Sequence, residues 1–245
     1  MHHARMSLTR TDLAVTYGLR ENLQLNVTLP YDVKALQIRY TTLDGEPFTP
    51  PYGDIHHRTE TLTGISDAAV GVDWRVRPGW LAGAGVSLPI GHTEPNPIVL
   101  GREGEMHQHI QFGSGTLQPR LSLQYVRPGQ VAFVGRAEAR LSLYENGEGF
   151  RAPATFLWSA GPSMRIRGIG VDGRFEGQHQ TLGRWDGEID EGSGFTNGGF
   201  RVGVSFSAGE LQIAPSVYRE LFSHGQHEET FQQGTTWSLT LSRRF

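Results

Sequence analysis

Residues 235–245 (TTWSLTLSRRF) set Trp237, Leu239, Leu241 and Phe245 against Thr236, Ser238, Thr240 and Ser242 in strict alternation. A period of two makes a β-strand with one apolar and one polar face. Other segments repeat the pattern. One face of residues 130–144 reads Val131, Phe133, Ala137, Leu141, Leu143, and the opposite face reads Arg136, Glu138, Arg140. Leu117, Leu121, Leu123 and Tyr125 stand against Gln118, Arg120, Ser122 and Gln124. Phe200, Val202, Val204 and Phe206 form another apolar row, and Asp172, Arg174, Glu176 and Gln178 another polar one. No long stretch holds a 3.6-residue period, so almost no helix is expected. The alternation predicts eleven strands, at 6–17, 22–32, 67–77, 80–90, 116–127, 130–144, 153–167, 170–181, 198–207, 210–221 and 235–245.

The connections alternate too. Tight turns are expected at 17–22 (YGLREN), 77–80 (RPGW), 127–130 (RPGQ), 167–170 (RGIG) and 207–210 (SAGE). Glycine and proline supply the dihedrals such hairpins need. Long polar segments separate them, at 33–66, 91–115, 145–153, 182–198 and 222–235. Short turns at one end and long loops at the other describe an up-and-down membrane barrel, with periplasmic turns and extracellular loops. Each strand has about the 9–11 residues needed to cross a bilayer at a tilt. Charged inner faces cannot meet hydrocarbon, so the apolar rows face lipid and the lumen is polar. The expected fold is therefore all-β, a single antiparallel transmembrane barrel spanning residues 1–245, placed in the bacterial outer membrane.

Composition changes this picture little. The chain has 245 residues, 32 Gly and no Cys, and its formal net charge of −3 argues against a nucleic-acid partner. A strand-crossing protein carries a weak hydropathy signal, so a mean hydropathy of −0.37 is no obstacle. Eleven antiparallel strands would leave the first and last running the same way, whereas bacterial barrels are usually even. No signal peptide opens the chain. Both features imply that a signal sequence and a first strand lie upstream of Met1, and that the parent barrel has twelve strands. The terminal aromatic, Phe245, resembles the C-terminal signature of bacterial outer-membrane proteins, which implies the barrel-assembly machinery as a partner beside outer-membrane lipid.

Three motifs carry a closer resemblance. Gly64-Ile65-Ser66-Asp67 precedes AAVGVDWRV, Leu88-Pro89-Ile90-Gly91 follows the next strand, and Gly113-Ser114-Gly115 precedes the fifth. With YGLRENLQLNVTLPY they resemble the outer-membrane transporter family named for the MetA-pathway of phenol degradation, over residues 13–126. That family shows G-x-G-D, L-P-T-G and G-[ST]-G at similar spacing. Here Ser66 stands for the second glycine and Ile90 for the threonine. The motifs are strand-end punctuation. The resemblance implies uptake of a small solute, hydrophobic or aromatic, and no enzyme activity.

Candidate chemistry sits in two places. Alternation puts Arg75, Arg120, Arg136, Arg140, Arg165, Arg174, Arg201 and Arg244 on the inner face, against Asp12, Asp73, Glu138, Asp172 and Glu176. These groups form a charge network that either fills the lumen or lines a slightly cationic channel. The ten histidines all fall in long loops or at the strand ends beside them. His107 and His109 form an H-x-H pair next to Met106, and His56 and His57 follow Asp54. With His224, His227, Glu228 and Glu229 they offer an extracellular Cu or Zn site as the alternative function, although no strict zinc signature is present. No cofactor is otherwise expected. A third reading, an outer-membrane hydrolase, needs a Ser/His pair on the outer face, and His179 with Ser159 or Ser163 is the pair the sequence offers. The loop at 43–54 (LDGEPFTPPYGD) is long enough to fold inward as a constriction, with Phe48 and Tyr52 as packing residues, and Trp185 plays the same part in a later loop.

Overall fold

The computed structural model describes residues 2–49, 51, 58–226 and 232–245. The strands are β1 (His2–Arg20), β2 (Leu23–Tyr40), β3 (Glu60–Ile65), β4 (Ala68–Arg77), β5 (Trp80–Leu88), β6 (Gln118–Arg127), β7 (Val131–Arg140) and β8 (Phe150–Arg151). There follow β9 (Thr155–Ile166), β10 (Ile169–Gln180), β11 (Gly183–Trp185), β12 (Glu188–Asp190), β13 (Phe195–Ala208), β14 (Leu211–Gly225) and β15 (Thr235–Arg243). The wall is one antiparallel sheet in the order β1-β2-β4-β5-β6-β7-β9-β10-β13-β14-β15, with β3 also on β2. Neighbours in space are neighbours in sequence throughout, as an up-and-down sheet requires. β1 and β15 are its two edges. Every step along the path is antiparallel, so these edges run in the same direction.

The short turns close as their residues dictate. Ile166 pairs with Ile169 across Arg167 and Gly168, both at positive φ (49° and 87°), the backbone of a type I′ hairpin. Pro78-Gly79, Pro128-Gly129 and Gly209-Glu210 close three further hairpins at the same end, and Glu21-Asn22 closes the β1–β2 hairpin.

The long-loop end departs from expectation in three ways. β2 runs to Tyr40, not 32, and β3 begins at Glu60, so much of the expected first loop is strand. This hairpin outruns the bilayer, and its mixed residues (VKALQIRY) lack the two-faced contrast that marks a lipid-facing segment. A helix, α1 (Pro97–Glu103), stands in the second loop. The Asn96 side chain accepts from the Ile98 and Val99 N–H groups, Pro97 opens the first turn, and Gly104 closes it in the left-handed region. β8, β11 and β12 form a small sheet of their own joining two loops. There Trp185 is 4% exposed and stacks on Phe150 with ring centroids 4.6 Å apart. Trp185 is thus packed, whereas Phe48 is 48% exposed. Tyr52 lies outside the described residues.

Burial is inverted relative to a water-soluble fold. Among the described residues the enclosed apolar side chains are Ala68, Phe150, Trp185 and Tyr218, whereas Asp32, Ser66, Ser87, Gln118, Glu138 and Asn197 are all buried. Leu13, Val15, Tyr17, Trp74, Leu121, Phe133, Phe200, Val202, Leu239 and Trp237 (80%) are exposed on the outer face. An apolar band of this extent is unfavourable in water by about 25 cal/mol per Å² and is neutral or better in hydrocarbon. No helix among the described residues is long and apolar enough to cross a membrane. The strands make the crossing.

Candidate functional site

The inner face carries its charges in discrete knots, each set by strand register. Arg10 and Asp32 are directly paired on β1 and β2. Arg10 Nε and Nη2 donate to the two carboxylate oxygens at 2.7 Å each, and Ser66 Oγ donates to Oδ2 at 2.6 Å. Asp32 is fully buried, so this three-donor shell is what holds its charge inside. Across the lumen wall, Arg120 Nε (3.1 Å) and Nη2 (2.5 Å) donate to Glu138 Oε1, while Arg136 Nη2 donates to Oε2 at 3.0 Å. Arg201 donates to Glu176 at 2.8 Å, to Ser216 at 3.1 Å and to Ser238 at 3.3 Å, tying four strands together. Asp73 accepts from Asn26 at 2.8 Å and Gln24 at 3.2 Å.

Cavities run between these knots. One of about 260 Å³ is lined by Asn26, Asp73, Arg120, Arg136 and Glu138. A second of about 350 Å³ touches Arg136, Glu138, Glu176, Arg201 and Tyr218. A third of about 390 Å³ touches Arg10, Asp12, Arg120, Arg140, Phe112 and Phe150. Shared lining residues, Arg120 on one side and Arg136 with Glu138 on the other, join the three in series. Of the residues expected to line the lumen, Arg120, Arg136, Glu138, Arg140, Glu176 and Arg201 thus border these cavities. Asp172 and Arg174 pair with each other at 3.5 Å. Arg75 and Arg165 are exposed towards the short-turn end, outside these cavities.

Residues not singled out as a site by sequence hold the loop end together. The Asp67 carboxylate accepts from the Gly91 N–H at 3.0 Å, and from the Ser114 N–H and hydroxyl at 2.8 Å each. The three glycine-bearing motifs of residues 64–67, 88–91 and 113–115 therefore meet on one side chain. A Cβ on Gly113 would lie 2.5 Å from both Asp67 Oδ1 and the Gly91 carbonyl, which accounts for glycine there. Lys34 Nζ donates to the Gln111 carbonyl at 2.6 Å and lies over the Phe112 ring at 4.4 Å.

The histidines do not converge among the described residues, where no group of three or more metal-ligating side chains comes together. The His107 and His109 rings sit edge to face with centroids 5.1 Å apart, and His107 Nδ1 is 2.9 Å from the Glu105 carbonyl. His224 stacks against Phe222. His56, His57, His227, Glu228 and Glu229 lie outside the described residues. The hydrolase pair is split between faces. Ser159 borders the lumen, whereas His179 alternates with the lumenal Gln178 and Gln180 and stands on the outer face, 2.7 Å from Thr196 Oγ1. His179 thus stands on the outer face with threonine rather than serine beside it.

No protein-family model matches the sequence, and no curated protein matches it. Among solved structures, the chain is similar to the COG4313 outer membrane channel from Pseudomonas putida F1, with a TM-score of 0.59 at 13% identity over 97% of this chain and 82% of that one. That channel belongs to the phenol-degradation family which the motifs of residues 13–126 resemble. The FrpB iron transporter from Neisseria meningitidis (F5-1 variant, apoprotein form) aligns at a TM-score of 0.40 and 13% identity, over 100% of this chain and 42% of that one, too slight a likeness to argue from. The likeness is one of fold, that of an outer-membrane channel, and the apolar outer face of the sheet is in keeping with it.

Proposed function

We propose that this protein conducts a small solute across the outer membrane through its lumen, and that the solute carries an apolar or aromatic body. One observation supports the reading above others: the lumenal ion pairs are gathered against the wall, and cavities of about 260, 350 and 390 Å³ lie in series between them. The apolar character of the solute rests on the motif resemblance, and Phe112, Phe150 and Pro153 on the cavity of about 390 Å³ are in keeping with it.

The test is reconstitution into planar bilayers in molar potassium chloride, with liposome permeation of small neutral aromatic solutes in parallel. Discrete conductance steps and solute entry above protein-free liposomes are the expected outcome. A reconstituted, folded protein that gives neither would overturn the channel reading.

A further inference from the structure

We infer that the lumenal cavity of about 390 Å³ holds a carboxylate-binding subsite centred on Arg140, and that the solute is an organic monocarboxylate with a compact apolar body. The inference rests on the channel reading for its purpose, although binding at the subsite is separable from conduction.

The argument begins with guanidinium partners. Three arginines border the cavity, and two are committed: Arg10 to Asp32, and Arg120 to Glu138. Arg140 is the third. It stands directly across from Arg120 in the β6–β7 register, so two like charges face each other. Among the described residues Arg140 has no hydrogen-bond acceptor, and its buried Nε is unpaired. The nearby carboxylates, Glu138 and Asp67, accept from other donors, so this half-buried cation with an unsatisfied N–H has room for a further anion.

A second donor on the same cavity is also missing an acceptor. The Gln111 side-chain oxygen accepts from the Glu94 N–H at 2.7 Å, which fixes the amide. Its buried Nε2 then has no partner. Two side chains that each carry an unsatisfied donor, borne by different elements, border one space of about 390 Å³. The complementary group accepts only, through more than one oxygen, and carries negative charge. A carboxylate meets each condition.

The cavity's acidic residues do not fill that role. Asp67 spends its oxygens on Gly91 and Ser114, and Asp12 accepts nothing from Arg140 among the described residues. The remaining wall decides the rest of the ligand. Phe112, Phe150 and Pro153 border the same cavity, with Phe112 held in place by Lys34. These apolar side chains among a largely polar lining suit an acid with a small ring or short alkyl body, and the volume is that of a small-molecule site.

Benzoate is the probe, with benzamide as its neutral counterpart and acetate as the acid lacking an apolar body. Calorimetry on the full chain in detergent micelles measures binding without reference to conduction. Benzoate should bind, benzamide should not, and acetate should bind at least about tenfold more weakly. Arg140→Gln should weaken benzoate at least about tenfold, with Arg140→Lys in between. Gln111→Leu, which removes the other donor and keeps Arg140, should weaken it severalfold and serves if Arg140→Gln fails to fold. Folding of each variant is read from its heat-shifted gel mobility. No benzoate binding by the wild type, or equal binding by folded Arg140→Gln, overturns the subsite. Equal affinity for acetate overturns the apolar part of the assignment. Benzoate binding that depends on Arg140 in a protein without conductance would keep the subsite and sink the channel.

Discussion

Glu138 is the acid on which the lumenal network turns, and Glu138→Gln measures what that network contributes. The side chain is 8% exposed and accepts three charge-assisted hydrogen bonds, two from Arg120 and one from Arg136. Glutamine keeps one carbonyl oxygen and puts an amide donor where the second carboxylate oxygen stood. One arginine then faces a like-signed dipole, and Arg120 is left opposite Arg140 without its counter-charge. Breaking a buried pair by removing one partner typically costs about 3–5 kcal/mol. Arg136 is 41% exposed and regains water, so its share is no more than about 1 kcal/mol. Water in the lumen also softens the loss at Arg120. The expected destabilisation is about 2–4 kcal/mol. It is read by reversible urea unfolding in short-chain phosphatidylcholine vesicles, followed by tryptophan fluorescence, with the exposed Glu145→Gln as the control. A loss below about 0.5 kcal/mol would refute the view that Glu138 neutralises its arginines through a poorly solvated contact.

Other perturbations probe the loop end. Gly113→Ala forces a methyl against Asp67 and the Gly91 carbonyl, and should destabilise by more than the about 1–3 kcal/mol of one lost buried hydrogen bond, whereas Asp67→Asn, which keeps one acceptor oxygen, should cost less; paired urea titrations give the order. Trp185→Ala should cost about 3–5 kcal/mol locally and leave the wall intact, seen as faster amide exchange in residues 183–190 with unchanged exchange in β6 and β7. Burial holds the Asp190 carboxyl above its ordinary range, against the opposing pull of the Gly192 N–H. Because the folded loop favours the protonated form, its stability is greatest below the ordinary carboxylate pKa and declines as pH rises through the raised value. Asp190→Asn should abolish that decline, as measured by loop amide exchange across the acid range.

How far these features could be read from sequence depended on distance along the chain. β6, β7, β13 and β15 were legible because lipid and lumen impose opposite chemistry on adjacent residues along their length. The turn at Arg167–Gly168 was legible because only certain residues accept its dihedrals. β8, β11 and β12, at two or three residues, are too short to carry a period. The helix after Asn96 did leave a signal, an Asn-Pro cap with Gly104 closing it, but at seven residues it falls below the length at which apolar spacing is informative. The charged inner face was readable as a set, whereas its pairing was not: that Arg120 takes Glu138 and leaves Arg140 without a hydrogen-bond acceptor among the described residues is a matter of side-chain reach across a strand pair.

The knot at Asp67 has a consequence for the order in which the wall is built. Its carboxylate reaches Gly91, 24 positions on, and Ser114, 47 positions on. The nearer bond can close as soon as the β4–β5 hairpin has formed. The farther ones must await the return of the chain after α1, and they bear the closure entropy of that longer excursion. One side chain therefore records two events in succession, and a strand β6 laid down in the wrong register would leave the second unsigned.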